Sequence, residues 1–186
     1  VRKDDKHDLA VYRYSEAIRA NPRDYRAYNN RGNAFGRKGK YDLAIDDYNR
    51  AIEINPAFAL SYINRGNAFQ EKGLRERAVN DYDRAIELNP ASDMAYNNRG
   101  FTFLLMGRLD EAEQDIRKAL ALSPSNIYAL NSMAELCAAR NDAEESCRWL
   151  RKAVAKGYNN WQYIKTSKTY DAIRNAECFK GIIAGK

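Results

Sequence analysis

The chain has 186 residues, of which 45% are hydrophobic and 30% charged, with a formal net charge of +6; this is ordinary composition at the size of one cooperative domain. A single histidine, His7, stands in a charged segment, so neither a His-based metal site nor a catalytic triad can be assembled, which removes many enzyme classes and ranks an enzyme last. Cys137, Cys147 and Cys178 are odd in number and widely spaced, which argues against a disulfide framework and against zinc ligation; they are expected to be buried small hydrophobes.

The longest stretch without a charge, Ala119 to Ala134, carries Ser123, Pro124, Ser125, Asn126 and Asn131 and cannot span a membrane. The first residues form a charged run with neither an initiator Met nor an apolar signal region, so a truncated or processed chain is expected, with the cytoplasm favoured over the periplasm. Charge is uneven: residues 148–186 hold nine Lys or Arg against Asp171 and Glu177, which makes that segment +7 and the remainder −1. A basic end can touch nucleic acid or acidic lipid, but without a dense Lys/Arg run a solvated cap is the preferred reading.

The four prolines, Pro22, Pro56, Pro90 and Pro124, fall 34 residues apart, and the glycine series Gly32, Gly66, Gly100 and Gly39, Gly73, Gly107 keep the same period. Residues 25–58 and 59–92 share 19 identities in 34 positions, so the chain is a repeat array. Taken in order, residues 1–24 contain one helix, with Ala10, Tyr14, Ala17 and Pro22 matching the second half of a repeat. The next segment, 25–58, has small or aromatic residues at Tyr28, Gly32 and Phe35 and again at Ala44, Tyr48 and Ala51, each set at helical spacing. Gly39 ends the first helix as a C-cap glycine and Asn55-Pro56 ends the second, which predicts two antiparallel helices per repeat. Residues 59–92 and 93–126 repeat the pattern, 127–160 form a degenerate copy with Tyr158 in place of Pro, and 161–186 predict a helical cap over the last apolar face.

The marks at positions 4, 8, 11, 20, 24, 27 and 32 of each repeat, counted from Tyr25, resemble those of the tetratricopeptide repeat. The resemblance implies an all-α, right-handed superhelical solenoid of antiparallel helix pairs, a non-enzymatic scaffold that needs no cofactor or metal. It further implies that an extended peptide lies in a concave groove lined by positions 2, 5, 6, 9, 12 and 13 of each first helix. The position-6 residues are Asn30, Asn64, Asn98 and then Ser132, and an amide there can bond the backbone of a ligand of any sequence. Around this ladder stand Arg26, Asn29, Asn33 and Arg37, then Asn67, and then Met94, Asn97, Phe101, Leu104 and Leu105, so one end is polar and basic and the other apolar. An exposed Phe and Leu row reads as a ligand surface unless the solenoid itself covers it. Position 5 lacks the lysine that helps hold a C-terminal carboxylate in chaperone-binding relatives, which speaks against chaperone tails as the ligand.

Arg31, Arg65 and Arg99 at position 7 appear together with Asp47, Asp81 and Asp115 at position 23 and are expected to form structural ion pairs. Two alternatives to peptide binding stay open. Leu9, Tyr12 and Ile18 on the N-terminal half repeat offer a homodimer contact through residues 5–20, and the basic tail offers a contact with nucleic acid.

Overall fold

A computed structural model describes residues 3–186, with side chains from Lys6 onward; Val1 and Arg2 of the expected half repeat, and the Asp5 side chain of the expected dimer contact, lie outside the described residues. The described chain is all-α: α1 (Lys3–Ala20), α2 (Tyr25–Arg37), α3 (Tyr41–Ile54), α4 (Ala59–Glu71), α5 (Arg75–Leu88), α6 (Asp93–Leu105), α7 (Leu109–Leu122), α8 (Ile127–Ala139), α9 (Ala143–Ala155), α10 (Trp161–Thr166) and α11 (Glu177–Ile183), with a 3₁₀ turn at Lys168–Ile173. Two compact units divide at Ala91 and Ser92. In the first, α2 pairs with α3 and α4 with α5, while α1 packs on α2 and α3 on α4; in the second, α6 pairs with α7, α8 with α9, and the C-terminal elements close on α8 and α9.

Each helix pair is ended by local chemistry. Gly39 has φ +69° and its N–H returns to the Gly36 carbonyl while that of Lys40 reaches Phe35, so the carbonyls at the end of α2 are satisfied by a left-handed cap. In the degenerate repeat Asn141, at φ 59°, takes the place of that glycine; asparagine is one of the few residues that tolerate this region. Asp24, Ser92 and Asn126 accept backbone N–H groups at the starts of α2, α6 and α8. Phe58, at the same position before α4, offers no such acceptor and stacks edge-on against Tyr25 at 4.9 Å.

Close approach within a pair depends on the missing Cβ at position 8. A Cβ on Gly66 would lie 2.6 Å from the Tyr82 ring, and on Gly32 the same distance from Tyr48. Tyr82 is fully buried and its hydroxyl donates to Asn67 Oδ1 at 2.8 Å, so the ring cannot step aside. Alanine there would gain about 1 kcal/mol of helix propensity and lose more to the displaced ring.

The expected ion pairs form in all three full repeats. Arg65 grips Asp81 through Nε at 2.8 Å and Nη2 at 2.6 Å, and Arg31–Asp47 and Arg99–Asp115 repeat the two-pronged geometry. Each guanidinium also lies over the aromatic rings at positions 4 and 11 of its own helix, Tyr62 and Phe69 for Arg65, at 5.7 and 5.8 Å. The remaining Arg65 nitrogen donates to Asn49 on α3, and that of Arg31 to Ser15 on α1, so these two arginines tie their helices both to their own partners and to the preceding repeat. The hydrogen bonds to Asp81 and the charge of that carboxylate hold the Arg65 guanidinium above its ordinary pKa, against the opposing effect of burial.

The cap differs from expectation in one respect. Cys147 and Cys178, read from the sequence as separate buried thiols, are joined as a disulfide between α9 and α11, and Cys137 is the free cysteine. Cys178 lies beyond the last repeat, where the 34-residue register says nothing about which side chain meets α9. Tyr170, Ile173 and Phe179 bury themselves with Leu130, Leu150, Tyr158 and Ile164 in the core that closes the array.

Candidate functional site

Position 5 of the first helices is largely withdrawn from solvent. Asn29, Ile63, Asn97 and Asn131 are all buried, at 1, 4, 6 and 3% exposure. For Asn29 the reason is visible in its bonds: Oδ1 accepts from Ser61 Oγ at 3.2 Å and from Asn64 Nδ2 at 3.0 Å, both on the first helix of the next repeat. A helix projected against its own partner alone leaves this side open, but the first helix of the next repeat covers it, so Asn29 lies in the seam between neighbouring first helices and not on the groove. Leu104 is buried as well and leaves the expected apolar row, while Met94 is exposed and Phe101 and Leu105 are half-buried.

In the first unit Asn33, Arg37, Asn64 and Asn67 line a cavity of about 390 Å³ together with Gly36, Tyr41, Tyr48, Ala68 and Glu71. Part of its polarity is already spent: Asn33 Oδ1 accepts from the Tyr48 hydroxyl at 2.7 Å. Asn30 Oδ1 accepts from Asn29 at 3.4 Å, and Asn30 lines a smaller neighbouring cavity with His7, Tyr14 and Arg37. Arg26 is exposed, its Nε on the Tyr25 hydroxyl at 3.1 Å.

The second unit holds a cavity of about 350 Å³ lined by Asp93, Met94, Asn97, Asn98, Phe101, Asn126, Tyr128, Asn131, Ser132, Glu135, Tyr158, Asn160 and Tyr163. Volume and lining suit a ligand pocket, with aromatic walls and a few fixed polar groups. It gathers Met94, Asn97, Asn98, Phe101 and Ser132 from the sequence-predicted set. Glu135 was missed there, although it stands at position 9, where the other repeats carry Asn33, Asn67 and Phe101; its departure from that series was the available signal. Its carboxylate is 1% exposed, accepting from Tyr163 Oη at 2.6 Å, Thr169 Oγ1 at 2.5 Å and Asn131 Nδ2 at 2.7 Å. Burial pushes the carboxyl up to about 7 against the pull of those three donors. Tyr158 and Tyr163 come from the end of the last repeat and from the cap, which repeat register alone does not place.

Among the described residues no group of His, Cys, Asp and Glu side chains is arranged to hold a metal ion, and no helix is long and apolar enough to cross a membrane.

Comparison with known proteins agrees with this architecture. A search of curated proteins found no significant match. Among solved structures, the chain is similar to MamA, with 23% identity and a TM-score of 0.68 over 84% of this chain and 95% of that one. It is also similar to TTC0263, a thermophilic TPR protein of Thermus thermophilus, with 22% identity and a TM-score of 0.74 over 84% and 86%. A third likeness, at 35% identity and a TM-score of 0.56 over 59% of this chain and 91% of that one, is to the second TPR domain of human RPAP3 in complex with an HSP70 peptide. The family model of the tetratricopeptide repeat matches residues 25–58, 59–92 and 94–126, more than half of the chain. With that coverage, and with helix pairs built on the marks of each repeat, the chain belongs to the tetratricopeptide repeat family.

Proposed function

We propose that this protein is a non-enzymatic scaffold that binds an extended segment of another polypeptide, with its main anchor in the cavity of the second unit. The observation that carries this reading is the cavity itself. Half-buried Phe101 and exposed Met94 and Tyr128 border a space of about 350 Å³ whose floor is set with amides. Aromatic anchors beside backbone-compatible amides are the chemistry by which an extended peptide is held. The RPAP3 domain in complex with a peptide supports the class of ligand.

The test is a selection of random displayed peptides on the full chain, followed by titration of the best binder. Phe101→Ala weakens binding by at least about fivefold, which corresponds to about 1 kcal/mol at an anchor, whereas Lys118→Ala on the exposed face of α7 leaves it unchanged. Binders indifferent to Phe101→Ala contradict the assignment and direct attention to the basic tail.

A further inference from the structure

The repeats supply an internal control for one buried amide. Asn29 Nδ2 donates to Asn30 Oδ1 at 3.4 Å, and Asn97 Nδ2 donates to Asn98 Oδ1 at the same distance, so the two amides are oriented alike. Asn29 Oδ1 is then satisfied by Ser61 and Asn64, which lie 32 and 35 residues further on. The residues at those offsets from Asn97 are Ala129, which has no donor, and Ser132, whose side chain is shorter than asparagine. Asn97 Oδ1 is accordingly buried with no hydrogen-bond partner, and Asn97 forms part of the cavity lining. A buried acceptor left unpaired is costly, and a ligand donor recovers that cost.

The rest of the lining says which donor. Two carboxylates border the cavity, Asp93 and Glu135, and among its described lining residues there is neither Lys nor Arg. One Asp93 oxygen accepts from Asn126 Nδ2 at 2.9 Å, and the rings of Tyr128 and Tyr158 meet edge to face at 6.1 Å in the wall. An acidic side chain would meet the Asp93 carboxylate, and an apolar one would leave Asn97 unpaired.

We propose that this cavity takes a basic side chain of the bound segment, arginine in preference to lysine. This rests on the peptide-binding reading of the same cavity. A guanidinium offers several in-plane donors for Asn97 Oδ1 and the carboxylate edge and a flat face for the aromatic wall. Lysine carries the charge but cannot stack in this way.

The probe is the best peptide from a random displayed library selected on the full chain, remade with its arginine replaced by citrulline, which keeps the shape and loses the charge. On the unmodified protein the replacement lowers affinity at least about tenfold, as expected for a charge-assisted hydrogen bond. On Asp93→Asn the two peptides differ by less than about threefold, and on Asn97→Leu, which removes an acceptor that both peptides can use, both bind at least about threefold more weakly than on the unmodified protein. Asn97→Leu removes an unpaired buried acceptor and is expected to keep the melting temperature; should it fail to fold, Asp93→Asn carries the test alone. Binders that respond to Phe101→Ala but contain no basic residue, or tolerate citrulline, overturn this proposal and leave the peptide-binding reading standing. Binders unaffected by Phe101→Ala overturn both.

Discussion

At the scale of single residues, the arginine at position 7 does most to define this variant of the repeat. Asp81 has only 7% of its side chain exposed and Arg65 21%, so the pair is largely withdrawn from water. Removing one member of such a pair strands the other charge. Arg65→Ala is expected to destabilise the protein by about 3 kcal/mol, while replacing Arg65 and Asp81 together by leucine costs much less. Denaturant unfolding of the single and double variants measures this, and additive single effects would show that the two side chains are not coupled. The pairing was legible because Arg and Asp appear and disappear together between repeats, and because equal offsets on antiparallel helices bring them to the same side. The fate of Asn29 was not legible by the same geometry, since its partners Ser61 and Asn64 stand on the next repeat, whose lateral spacing a single-helix projection does not contain.

At the scale of elements, the C-terminal cap carries the largest gap between pattern and structure. That residues 161–186 fold over the last apolar face followed from the need to cover it; that Tyr170 donates to Asn131 and Tyr163 to Glu135 did not, because the tail has no repeat to compare with. The disulfide between Cys147 and Cys178 closes a loop with a sequence separation of 31, and Cys178→Ser is expected to lower stability by about 3 kcal/mol under oxidising conditions. Under reducing conditions the two proteins should unfold alike, and a difference that survives reduction would locate the effect in packing. Glu135 adds a pH signature. Unfolded, its carboxyl loses its proton near 4.5, whereas in the folded chain burial holds it to about 7. The folded state therefore binds more protons inside that window, and its contribution to stability falls as pH rises from 4.5 to about 7 and levels off above it. The full loss is on the order of 3 kcal/mol. The stability difference between the natural chain and Glu135→Gln, followed from about pH 4 to 8, is expected to move by this amount in that direction; a flat difference would mean that the three donors offset the burial completely.

At the scale of the whole molecule, function is written in how the repeats diverge. Periodicity alone gave the helix pairs, their glycine and proline boundaries and the family, because those features are copied from repeat to repeat. The candidate site depends on what is not copied: Phe101 in place of asparagine, Glu135 at the same position one repeat later, and Ala129 and Ser132 where Ser61 and Asn64 satisfy a buried amide in the first unit. The two units consequently offer different cavities, one lined with amides, Arg37 and Glu71 and the other with aromatic rings and two carboxylates. The most direct test of peptide binding in the second unit is nuclear magnetic resonance mapping of a selected peptide on the full chain, assigned residue by residue. Saturable shifts concentrated on Asn97, Phe101, Tyr128, Glu135 and Tyr163 are the predicted result; shifts confined to the exposed face of α7 around Lys118, or to the basic residues after Arg148, would contradict it.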